Sequence, residues 1–227
     1  MSADRAALDL QHMTERLLAC RDKPKRQYFV EQIGRIWNPG RQHSSFRPFR
    51  EPTRLHHPPT DASIQAVASF ASDPSHFVRH AVAKSLSSHP EAAVVSITAF
   101  MSLLGDADAS VRIAAADGLC YADVPSNNAE KLVPFLQDSI WLVRWGVAAA
   151  LSSTTYRRNA WDAMKTSIPA NAEHIDSWSW RARNFVGELQ TDVDTLAKLR
   201  ECVESLGRRS PFGYATKALL AMAETRG

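Results

Sequence analysis

The chain has 227 residues, with 27 lysines and arginines against 24 aspartates and glutamates, a net charge of +3. An apolar fraction of 44% excludes wholesale disorder, and no stretch approaches the ~18 uninterrupted apolar residues of a membrane-spanning helix. Cys20, Cys120 and Cys202 are too few and too scattered for a disulfide scaffold or a thiolate metal site, so a reducing, cytoplasmic setting is expected.

The first 37 residues read as a helical pair. Leu8, Met13, Leu17 and Leu18 recur at helical spacing over 3–20. A second helix starts near Pro24, takes its apolar face from Tyr28, Phe29, Ile33 and Ile36, and stops at Asn38-Pro39-Gly40. This pair is expected to cap the remainder of the chain.

Residues 38–60 show no period. Five prolines alternate with Arg41, Arg47, Arg50 and Arg54, and His43, His56 and His57 add to them. A basic loop of this length is expected to be mobile or to dock on a partner. Adjacent histidines on a proline-flanked loop are poor joint ligands, so no metal site is expected there.

From residue 61 a repeat takes over. Asp73 precedes Val78-Arg79, Asp106 precedes Val111-Arg112, and Asp138 precedes Val143-Arg144, each by six residues counted to the arginine. The arginines stand 33 and 32 residues apart. A small residue comes two positions after each arginine and a leucine seven after it: Ala81 and Leu86, Ala114 and Leu119, Gly146 and Leu151. Valine, small residue and leucine fall on one face of a helix, and the small residue lets a neighbouring helix approach closely. The aspartate sits where a carboxylate can accept from free N–H groups at a helix start. Further apolar helices are expected over 94–104 and 129–136.

This pattern resembles HEAT repeats, in the style of the short HEAT-like repeats of phycobilisome-lyase-type proteins. The resemblance covers 61–151 and decays toward the C-terminus. Residues 178–189, with Arg181, look like a fourth unit, and residues 212–220, with Gly213 in the arginine position, look like a fifth. It implies an all-α solenoid of about five helical hairpins, in which Asp73, Arg79, Asp106, Arg112, Asp138 and Arg144 form a structural ladder between repeats. It also implies that residues just after each ladder arginine, and one turn on, face the concave surface. Those are His80 and Lys84, Ile113 and Asp117, and Trp145 and Ala149.

Charge and aromatics suggest where partners touch. Net charge is +6 over 23–57, −5 over 58–140 and +3 over 141–227. Five of the six tryptophans lie after residue 140, interleaved with Arg157, Arg158, Arg181 and Arg183. Trp145 and Trp180 beside these arginines have a composition that suits a protein partner, and also stacking on unpaired bases. Asp138 to Arg144, with Trp141 between them, resembles a short stretch of the HEAT-like DNA glycosylases that excise alkylated bases. That family places a tryptophan and an aspartate on the preceding repeat. Residues 105–111 hold no tryptophan, so no catalytic residue carries over. No phosphate loop, nucleophile elbow or H-E-x-x-H motif is present, and nothing calls for a cofactor or a metal. The expected function is a non-enzymatic adaptor holding a protein on its concave face. DNA binding and a chromophore-lyase-like or chaperone-like role are the alternatives.

Overall fold

A computed structural model describes residues 3–37, 57–87, 96–120, 122, 124–169, 172–206 and 213–224. The loop arginines Arg41, Arg47, Arg50 and Arg54 lie outside the described residues, and with them most of the expected basic loop. Helices alone are found among the described residues, and the fold is an all-α solenoid. Two compact units divide the chain at residues 123 and 124.

Unit 1 contains α1 (Ala3–Ala19), α2 (Lys23–Trp37), α3 (Asp61–Ala68), α4 (His76–Ser87), α5 (Ile97–Leu104) and α6 (Ala109–Leu119). They pair as hairpins α1–α2, α3–α4 and α5–α6. The second helices stack, α2 on α4 and α4 on α6. Small residues make that stack tight. A Cβ added at Gly34 would lie 2.6 Å from Ser85 Oγ, and one at Gly118 would lie 2.7 Å from Ser87 Cβ and 3.0 Å from a Phe100 ring carbon. Ser85 Oγ crosses the gap to donate to the Val30 carbonyl at 2.9 Å. Thr60 caps α3 through a reciprocal pair with Ser63, which satisfies otherwise orphaned N–H groups.

The buried stripe of α1 differs from the expected one. Ala6, Leu10, Thr14 and Leu17 are buried, whereas Leu8 and Leu18 are exposed. The stripe runs at i, i+4, i+8 and i+11, and its small and polar members, Ala6 and Thr14, hide it from a search for large apolar side chains. Thr14 is tolerated inside because its hydroxyl donates to the Leu10 carbonyl at 2.7 Å. Tyr28 on α2 is likewise exposed rather than part of the core face.

Unit 2 contains α7 (Ser126–Leu132) with a 3-10 turn (Val133–Gln137), α8 (Trp141–Leu151), α9 (Arg157–Thr166), α10 (Ala172–Ala182) with a 3-10 turn (Arg183–Phe185), α11 (Val186–Thr191), α12 (Val193–Leu206) and α13 (Tyr214–Glu224). Pro134 breaks the expected 129–136 helix into an α turn and a tighter 3-10 turn. The last helix is moored by Asp176, which accepts from the N–H groups of Gly213 (2.7 Å) and Thr216 (3.2 Å). Gly213 has φ of 93°, a conformation that favours glycine. The residue in the arginine position of the fifth unit is therefore a backbone device.

Candidate protein-interaction face

The ladder is built from one repeated local module. In each motif the aspartate accepts from the N–H two residues on: Asp73 from Ser75, Asp106 from Asp108 and Asp138 from Ile140, all at 2.8 Å. The arginine six residues on then donates Nη1 to the same aspartate's carbonyl, at 2.7 Å for Arg79, 2.8 Å for Arg112 and 2.7 Å for Arg144. In Arg79 the guanidinium is thus held with its other edge aimed at the next repeat. Arg79 uses that edge as a fork on Asp106, with Nε 2.5 Å from Oδ2 and Nη2 2.8 Å from Oδ1. The Arg79 hydrogen bond holds the Asp106 carboxyl below the usual aspartate range, although burial pushes the other way.

Two further rungs were not expected. Arg26 on α2 donates Nη1 to the Arg21 carbonyl at 3.0 Å and places Nε 2.7 Å from Asp73 Oδ2. The N-terminal pair is therefore joined by an ion pair at the equivalent place, without the hydrogen-bonded fork of Arg79. In unit 2, Arg157 donates to the Ser152 carbonyl at 2.5 Å and forks onto Glu188, whose second oxygen lies 2.7 Å from Nη2. That pair holds the Glu188 carboxyl below its ordinary value. Arg157 was expected on the partner face, but it spends its fork inside the protein.

The remaining predicted face residues divide by unit. In unit 1, α2, α4 and α6 present the same open side. On α4 it carries Phe77, His80 and Lys84, and on α6 Ser110, Ile113 and Asp117. On α2 the register set by Arg26 places Pro24, Gln27 and Glu31 there. Phe77 is 58% exposed and Lys84 and Asp117 are exposed, while His80, Ile113 and Glu31 are half-buried. Burial and then the nearby Lys84 lower the His80 pKa, and Glu31 and Asp108 pull against them. Groups on α2, α4 and the start of α6 thus act on one imidazole, which fits a shared face. Phe77 was missed in the sequence. Its signal was its position, one turn before His80.

In unit 2 the equivalent position turns inward, which corrects the expectation for Trp145. Its side chain has no exposed surface. Its ring lies 4.1 Å from that of Trp141, and its Nε1 donates to Ser167 Oγ at 3.0 Å. An indole offers much apolar area and one donor, so it is best placed where a hydroxyl can meet that donor. Trp178 is equally buried and donates to the Met164 carbonyl at 3.0 Å. Arg181 is also buried, only 8% exposed, with Nη1 on Ser177. The arginine of the expected fourth motif therefore faces its own helix. Trp180 is half-buried under Arg183, whose guanidinium carbon sits 4.2 Å from the ring centroid; Arg183 and Arg158 are exposed.

Arg158 lines a cleft of about 570 Å³ along α9. Its lining also holds Lys165, 3.1 Å from Asp162 and 3.8 Å from Asp192, and the carboxylates Glu188 and Asp194. Of the four arginines that suggested a polyanion surface, two are engaged inside. Asp138 and Asp176, the carboxylates nearest Trp145 and Trp180 in sequence, are committed to backbone N–H groups.

Residues 97–170 match a family model described as HEAT repeats. No curated protein matches the chain. Among solved structures, an engineered protein superposes with a TM-score of 0.60 at 16% identity, covering 96% of this chain and 99% of that one. A designed armadillo repeat protein gives 0.55 at 16% identity over 94% and 98%. Another, solved in complex with a (KR)4 peptide, gives 0.57 at 16% identity over 94% and 97%. At this identity the likeness is one of fold. The family match over 97–170, the Asp–Arg module and the stacked hairpins all fit HEAT-type repeats, and the fold is that of an all-α repeat solenoid.

Proposed function

We propose that the protein is a non-catalytic binding module that holds a segment of a partner protein on the open face of α2, α4 and α6. One observation carries this reading. The ladder and the small-residue contacts consume the sides of these helices that meet their neighbours, yet the fourth side keeps Phe77 exposed between ionisable groups. An exposed aromatic ringed by charge is a composition that protein interfaces favour. Repeat stacks commonly bind along such a surface, and a designed armadillo repeat protein of similar fold was solved with a peptide. The internal commitment of Arg157 and Arg181 favours a protein over a nucleic acid.

A photo-crosslinking amino acid placed at Lys84 or Asp117 tests this. Both positions should give protein adducts in the native cell. Gln65 on α3 and Ser102 on α5, exposed on the first helices, should give none. Equal labelling at all four would remove the reading.

A further inference from the structure

Charge along the open face of unit 1 alternates. One turn beyond the first row (Gln27, His80, Ile113), the next row reads Glu31, Lys84, Asp117, one charge per stacked helix, with Glu31 half-buried and the other two exposed. Lys84 enters no ion pair among the described residues, and Glu31 accepts from its own-helix neighbour Gln27 at 2.9 Å. Packed helices stand about 8–10 Å apart, and an extended chain in the polyproline II conformation advances about 3.1 Å per residue with three residues per turn, so every third side chain faces the same way. Three residues of an extended partner therefore span one helix of the stack.

We infer that this face reads a polyproline II segment of a partner protein carrying positive, negative and positive side chains at every third residue, of the form Lys/Arg-x-x-Asp/Glu-x-x-Lys/Arg. The inference rests on the peptide-binding reading above and adds a register to it. The basic positions sit against Glu31 and Asp117, and the acidic one against Lys84. The pattern is the same in either chain direction, so the charges fix register without fixing polarity. Phe77, 58% exposed at the head of α4, and half-buried Ile113 offer the apolar contact that the charges position. Charge in such a row sets register and excludes wrong partners more than it supplies affinity, because exposed pairs are individually weak.

The probe is a random nonapeptide display library selected on the full-length protein, with Lys84→Glu and Phe77→Ala selected in parallel. Lys84 and Phe77 are exposed, so both variants should fold, which circular dichroism checks. Enrichment of the stated pattern is expected. Lys84→Glu should convert the central preference from acidic to basic, with about fivefold discrimination between matched and reversed peptides in 0.05 M salt. Phe77→Ala should weaken all selected peptides alike. Enriched peptides that depend on Phe77 but ignore Lys84→Glu would overturn the register and leave peptide binding standing. Absence of enrichment on the folded wild type would overturn both.

Discussion

Arg79 shows how a single side chain ties one hairpin to the next. Its Nη1 is anchored on the Asp73 carbonyl, so the fork reaches Asp106 already oriented and loses little rotamer freedom on pairing. Both side chains are largely buried, which makes an unpaired partner expensive. Arg79→Ala should cost about 3 kcal/mol in urea unfolding, near the lower limit for breaking a buried pair. The pair also has a pH signature. The folded Asp106 pKa lies below its ordinary 3.8, so the stabilisation is fully present above that value. It is lost as pH falls through the depressed folded pKa. Asp106→Asn should therefore be less stable than wild type at pH 7 and lose less on acidification below about pH 4. Parallel acid limbs for the two proteins would contradict this account.

At the level of helices, the apolar residue seven after each rung arginine was the most informative signal. It is Leu86, Leu119 and Leu151 in the three motifs, and each is fully buried. Ile33 and Met164 stand seven after Arg26 and Arg157 and are equally buried. The two unexpected rungs therefore share one signal with the motif. They escaped notice because Tyr28 and Asn159 occupy the small-residue position and no aspartate stands six residues upstream. The open face was legible where the module repeats cleanly, at His80, Lys84, Ile113 and Asp117. It failed at Trp145, because a position that leaves a histidine or isoleucine half-covered rewards an indole for turning fully inward, where Ser167 meets its N–H. Close helix contact was anticipated at the small residue two after the arginine, Ala114 in the second motif; a close contact also lies at Gly118, six after Arg112. An alanine Cβ there would press on Ser87 Cβ and Phe100, beyond what rotating the serine hydroxyl relieves. Gly118→Ala should destabilise by about 1–3 kcal/mol despite its better helix propensity, read as a lower thermal midpoint. A rise in the midpoint would show that α4 and α6 can separate without cost.

For the whole chain, contacts in a repeat stack are made mainly between neighbours, so stability is approximately a sum of local terms. Two compact units and rungs that join adjacent hairpins fit that scheme. A broken rung should then weaken the helices it joins far more than distant ones. Hydrogen exchange on Arg79→Ala reads this directly, because each amide reports the free energy of the smallest opening that exposes it. Core amides of α4 and α6 should exchange about a hundredfold faster, in keeping with the stability expected to be lost. Those of α9, α10 and α13 should stay within about twofold of wild type, since Arg157–Glu188 and Asp176 hold them independently of Arg79. Equal acceleration in both units would mean that the chain opens as one cooperative body. The charge row Glu31, Lys84, Asp117 would then be coupled to unit 2, and a partner bound to that row would stiffen α13 as strongly as α4.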